Sequence, residues 1–182
     1  MDVSGVTPHP FRMLATVPEG MVGMPADGDW AAWTGFWSAP VDGRDAVILV
    51  SITVTAFDAR AGGVRTAGEA VTASDVLAAR LRVRHPEPTA VIEEFRTPDG
   101  DPAVCLRCPV TEHVRGRDVT TWQAQALVAY PSAGALGVVS GVALDPADLD
   151  RAAALVAGIA AGMTVTVAPA ARSHDPGVRA AS

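Results

Sequence analysis

The segment Ala46–Ala56 constrains the fold more than any other part of the chain. Ile48, Val50, Ile52, Val54 and Ala56 fall on one side of an extended backbone, and Ser51, Thr53 and Thr55 on the other. Strict alternation over that length is the mark of a strand with one buried face. The β-branched residues that fill it pack well on a pleated surface. Such a strand needs paired neighbours and something to cover its apolar side, so the rest of the chain is read for partners and a lid.

Partners are plentiful. Phe11–Val17 alternates in the same way and stops at Pro18-Glu19-Gly20. A Gly/Pro/Asp-rich stretch follows to Asp29. After the Ser74–Arg84 segment come alternating runs at Thr89–Arg96, Ala103–His113, Val119–Tyr130 and Ala135–Leu144. Pro98-Asp99-Gly100, Arg115-Gly116-Arg117-Asp118 and Pro131-Ser132-Ala133-Gly134 separate them, which reads as a meander.

Two segments supply the lid. Ser74-Asp75 offers an N-cap for a helix to about Arg84 that buries Val76, Leu77, Leu81 and Val83, and His85-Pro86-Glu87-Pro88 ends it. Asp145 can cap the second helix, Pro146 suits its first turn and Asp148 lies near the positive end of its dipole. Its stripe is Leu149, Ala153, Val156, Ile159 or Ala160, and Met163. Gly158 and Gly162 weaken it as an isolated helix, so packing on a sheet must hold it. Thr164–Val167 adds a short edge strand.

The expected fold is therefore α+β, an antiparallel sheet of about six or seven strands with two helices packed on it. At 182 residues the chain suits one domain. It is read as a flexible N-terminus over 1–10, a single domain over 11–167 and a disordered tail over 168–182, rich in Ala, Arg, Ser and Pro.

Charge excludes some functions. All fourteen basic residues are arginine and asparagine is absent, the codon signature of a GC-rich genome. The net charge of −6 and the lack of a basic stretch beyond Arg80, Arg82 and Arg84 argue against nucleic acid as a partner. Ala152–Met163 is too short to span a bilayer, so no transmembrane segment is expected. The start, MDVSGVTPHPF, carries no basic region before an apolar one, and the expectation from that alone is a cytoplasmic protein, with non-Sec export left open.

Catalytic chemistry finds little support. Cys105 and Cys108 form a CxxC, but inside a strand pattern rather than at a helix N-terminus, where a dipole would lower the thiol pKa. Strand alternation sets Cys108 with Val104, Leu106 and Val110, and Cys105 with Arg107 on the opposite face. A second ligand pair for zinc is missing. Cys105 and His113 share a face, yet a rise of about 3.3 Å per residue holds them too far apart to form a nucleophile–base pair. Glu93 and Glu94 point to opposite faces and make a poor acid/base pair. No GxSxG, Walker loop, GxGxxG or HExxH occurs, so neither an enzyme nor a cofactor is expected.

Aromatic residues are scarce, at 5 % of the chain, yet Trp30, Trp33, Phe36 and Trp37 fall together. The spacing of Trp30, Trp33 and Trp37 suits one face of a short helix. In a strand, Trp33 and Trp37 would share one face and Phe36 the other. A strand is favoured, because a hairpin partner follows at once through Asp42-Gly43. Such a cluster either fills a core of small Ala and Val residues or serves as a contact for a protein partner or ligand.

The opening strand into Pro18-Glu19-Gly20, the helix Ser74–Arg84, the turn Asp99-Gly100-Asp101-Pro102-Ala103 and the closing helix into Met163-Thr164-Val165-Thr166-Val167 resemble the Mog1/PsbP-like fold. Within it the resemblance is to the actinobacterial LpqN-like proteins. It covers roughly 11–167. It implies a mostly non-enzymatic accessory, binding or assembly protein that acts through protein contacts. Family members are usually exported lipoproteins, whereas this chain shows neither a leader nor a lipobox cysteine near its start. The resulting expectation is an interaction or accessory module with a protein partner or self-association, one that a tie to secretion would suit. The alternative is a small-molecule binder whose tryptophans line a pocket between sheet and helix, with polar groups such as Gln123, Gln125 or Arg107 converging on it.

Overall fold

The computed structural model describes residues 1–6, 11–24, 32–57 and 72–167. They form ten strands and two helices in two sheets. The strands are β1 (Asp2–Val6), β2 (Phe11–Thr16), β3 (Met21–Met24), β4 (Trp33–Val41), β5 (Arg44–Ala56), β6 (Val91–Arg96), β7 (Pro102–Val114), β8 (Arg117–Tyr130), β9 (Ala135–Ala143) and β10 (Thr164–Val167). The helices are α1 (Ala73–Arg84) and α2 (Leu149–Ala161).

The main sheet has seven strands in the order β3-β4-β5-β9-β8-β7-β6, all antiparallel. Two-residue turns close its longest hairpins. Asp42 and Gly43 have φ of 49° and 80°, and Arg115 and Gly116 have 49° and 79°. Positive φ at both positions matches the right-handed twist of the strands the turn joins, which is why glycine stands second in each. Pro109 and Pro40 lie inside strands but beyond the last residues that β6 and β3 pair, at Arg107 and Trp37. A proline costs a ladder bond only where a neighbour is there to make it.

The two helices pack on opposite faces of this sheet. On one face α1 buries Val76, Leu77, Ala78 and Leu81 against Val104, Leu106, Cys108, Leu127 and Ala129. Its cap is Thr72, two residues before the Ser74-Asp75 pair that the sequence offers. The Thr72 hydroxyl accepts from the Asp75 N–H at 3.2 Å, and the Asp75 carboxylate accepts from the Thr72 N–H at 2.7 Å. Leu81 is the last residue of α1 to be buried, so Val83, expected in the core, is 84 % exposed in the final turn.

On the other face α2 buries Ala152, Ala153, Val156, Ile159 and Ala160 over β8 and β9. The helix approaches so closely that a Cβ at Gly141 of β9 would lie 2.8 Å from Val156 Cγ1. A three-stranded sheet, β1-β2-β10, supplies more of the cover and feeds Phe11, Met13, Ala15 and Val165 into the same core. Asp2–Val6, expected within a flexible N-terminus, pairs with β2, and Thr164–Val167 flanks β2 on its other side. The strand β3 lies within the Gly/Pro/Asp-rich stretch that follows Pro18-Glu19-Gly20. Residues 168–182, read as a disordered tail, lie outside the described residues.

The start of α2 is tied down by charge. Asp145 caps a 3-10 turn, Pro146–Asp148, by accepting from the Ala147 N–H at 2.8 Å. Asp148 is 1 % exposed and meets two guanidinium groups. Arg44 donates to it at 2.6 and 2.9 Å and Arg151 at 2.7 Å. The Arg44 hydrogen bond holds this carboxyl below the usual carboxylate range, although burial acts the other way. The hairpin end of β5 is thereby locked to the helix.

Candidate functional site

The aromatic cluster lies in β4 and divides between the two faces of the sheet, as alternation requires. Trp33 and Trp37 are on the core side, both partly buried against the core that lies under α2. The Trp33 ring lies across Gly35 of its own strand and Gly23 of β3, which face each other in register. A Cβ at Gly35 would collide with that ring, so the glycine pair is the seat that the indole fills. The Trp37 ring has the Arg151 guanidinium carbon 5.9 Å from its centroid. Trp30 lies outside the described residues.

Phe36 points the other way. In register across the sheet it belongs to the row Val22, Phe36, Leu49 and Val142. Val22 is 52 % and Leu49 47 % exposed, with Val47 and Leu144 exposed nearby. The helix α1 packs mainly on β6, β7 and β8, reaching Leu136 and Val138 of β9 and Phe57 at the end of β5, and Val22, Val47 and Leu49 on the β3-β4-β5 part of this face stay exposed. The sequence hid this patch because its members are scattered along the chain. Only the register of four strands lines them up.

A second feature lies at the opposite edge, on the α2 face. Between β6, β7 and α2 runs an open groove of about 750 Å³. Phe95 and Cys105 line it from the sheet, and Ala153, Ala154 and Ala157 from the helix. Arg107 reaches across it, donating to Glu93 at 2.9 Å and Asp150 at 2.7 Å. None of the described tryptophans lines this groove. Gln125 donates to Ser140 at 3.0 Å on the opposite face, so of the polar groups considered only Arg107 reaches it.

The cysteines are both buried, one under each helix. Burial pushes the Cys105 thiol up to about 11, and raises Cys108 as well. The structure does bring a histidine to a cysteine, but the pair is Cys108 and His85, with Sγ 3.7 Å from Nδ1. Cys108 is wholly enclosed and its pKa is moved the wrong way for a thiolate nucleophile. His113 instead sits with Asp118 at 2.8 Å in the exposed β7–β8 hairpin. Glu93 and Glu94 do not act together, since Glu93 is engaged by Arg107. Among the described residues no group of three or more His, Cys, Asp or Glu could hold a metal. Among them too, no helix is long and apolar enough to cross a membrane.

A large antiparallel sheet with a helix on each face and a small terminal sheet beside one of them is the Mog1/PsbP-like α+β arrangement that the sequence resembles. Within that class the chain has a distant structural match to the crystal structure of LpqN, involved in cell envelope biogenesis of Mycobacterium tuberculosis. The TM-score is 0.51 at 16 % sequence identity, over 91 % of each chain. No family model matches the sequence, and no curated protein matches it significantly. The match corrects the cytoplasmic expectation. That expectation rested only on reading no leader at the first residue, and the matched protein is one of cell envelope biogenesis.

Proposed function

We propose that the chain is a non-enzymatic interaction or accessory module of the cell envelope, a role analogous to that of LpqN. The observation that carries this reading is the open apolar row Val22, Phe36, Leu49 and Val142 on a sheet face that α1 leaves half uncovered. A partner that buries these side chains gains about 25 cal/mol for each Å² of apolar surface removed from water. Exposed apolar patches of this kind on otherwise polar surfaces are where proteins meet. Trp33 and Trp37 serve the same face from beneath, as the packing that keeps β3 and β4 in register. The buried, protonated thiols are unsuited to act as nucleophiles.

The test is affinity capture from the envelope fraction of the native host, comparing the wild-type chain with the double variant Phe36→Asp, Leu49→Asp. Because Leu49 is 47 % exposed and Phe36 only partly buried, the variant should stay folded. A stoichiometric partner held by the wild type and lost by the variant is the expected result. Identical sets of captured proteins would sink this reading of the Phe36 face.

A further inference from the structure

The two edges of the main sheet are chemically unlike. At one end β3 reads Met-Val-Gly-Met and bears no charge, whereas at the other β6 reads Val-Ile-Glu-Glu-Phe-Arg. No described strand pairs with the outer side of β6, so part of its backbone N–H and C=O groups face outward. The groove beneath α2 runs alongside that edge. A strand added to β6 would therefore be read twice, through its backbone by the edge and through alternate side chains by the groove.

We propose that β6 and this groove accept an extended segment of a partner protein in which small apolar and basic residues alternate. Three observations define that occupant. The helix wall is built of alanine methyl groups, with Phe95 and Cys105 opposite, and offers the side chains that enter no polar partner. Charge is acidic on both sides of the edge: Glu93 and Asp150 stand at the rim against the single cation Arg107, and Glu94, opposite Val104 in register, projects from the other face of β6. The Glu93 and Asp150 side chains are 62 % and 87 % exposed, so each keeps oxygen atoms available while Arg107 holds it. No described residue forms an ion pair with Glu94, so an added strand whose small apolar residues enter the groove turns its alternate, basic residues to the other face, where Glu94 is an open acceptor. Arg96, at the end of the strand, is turned onto the Gly100 carbonyl at 2.9 Å and does not neutralise the rim.

A second copy of the chain is the poorer occupant. Antiparallel pairing of β6 with itself centred on Glu93 or on Glu94 sets that carboxylate opposite its own copy, and like charges directly opposed destabilise a sheet. The same carboxylates therefore protect the edge against self-association and select a basic partner. The inference rests on the chain being an interaction module, but it is independent of the Phe36 face on the far side of the sheet.

The experiment uses the purified full chain and a fluorescein-labelled, capped octapeptide of alternating arginine and valine, with an alternating glutamate–valine peptide as control. Fluorescence anisotropy should show micromolar binding of the first peptide only, weakened tenfold or more by Glu94→Arg and by Ala157→Trp, which fills the groove. Hydrogen exchange should slow at Val91–Arg96 when the peptide is bound. Phe36→Asp should leave this binding unchanged, so loss here with envelope capture intact removes the groove alone. Absence of binding at millimolar peptide, equal binding to both variants, or equal binding of the acidic peptide would overturn the proposal. Displacement of the peptide by a short-chain detergent with no protection at β6 would overturn it in favour of a small apolar ligand. Circular dichroism checks that each variant folds, and the exposed Glu94→Arg keeps the test valid if Ala157→Trp does not.

Discussion

Asp148→Asn separates the contribution of charge from that of shape at the junction of β5 and α2. The carboxylate is buried, with three guanidinium hydrogen bonds between 2.6 and 2.9 Å. Removing one partner of a fully buried ion pair costs about 3–5 kcal/mol, because the remaining charge is stranded. Here the groups left behind are Arg44 and Arg151, whose side chains are 34 % and 37 % exposed and can turn to water. That exposure lowers the expected loss to about 2–3 kcal/mol at neutral pH. The pH dependence has a definite sign. The native carboxyl titrates below its unfolded value, so its stabilisation is complete above about pH 4 and disappears as pH falls through the lower native pKa. Asparagine does not titrate. Urea unfolding followed by tryptophan fluorescence should therefore show a gap between wild type and variant that is constant from pH 8 to 5 and narrows below pH 4. A gap under about 1 kcal/mol at pH 7, or one that persists undiminished in acid, would refute this account of the ion-paired carboxylate.

Two further outcomes follow from packing and from burial. Gly141→Ala should cost about 1–3 kcal/mol by overpacking against Val156, and a Gly141→Ala, Val156→Ala double variant should lose less than the sum of the two single changes. Strict additivity in that thermodynamic cycle would show that the helix does not rest on Gly141. In the folded protein at pH 7.5 neither Cys105 nor Cys108 should react with Ellman's reagent within minutes, and both should react in 6 M guanidinium. The unfolded chain ionises its thiols near pH 8.5, whereas burial delays Cys105 to about 11, so stability should fall as pH rises across that interval. Rapid stoichiometric labelling of the native protein would contradict the enclosure of both thiols.

Much of the architecture was legible because its signals are local. The alternation of β5 fixed which residues face the core, and Ile48, Val50, Ile52 and Val54 are all buried. The β4 alternation also separated Phe36 from Trp33 and Trp37. The CxxC was read as two thiols on opposite faces of one strand, and Cys105 and Cys108 lie in separate cores. What could not be read was which sheet a strand would join. Asp2–Val6 and Thr164–Val167 are at opposite ends of the chain, and only their shared neighbour β2 makes them a sheet. Nor could Cys108 be matched with His85, or Asp148 with Arg44, since neither pair leaves a spacing signal along the sequence.

The amino-acid sequence by itself determined the strands, their buried sides, the helix stripes and the turns, because each depends on residues a few positions apart. Tertiary structure alone decided that the helices take opposite faces, that α1 leaves Val22 and Leu49 exposed, and that β6 ends the sheet beside an acidic groove. Those outcomes depend on the register and order of strands drawn from distant parts of the chain. Burial there is a property of the assembled sheet, so the Phe36 row and the β6 groove exist only once the strands have paired.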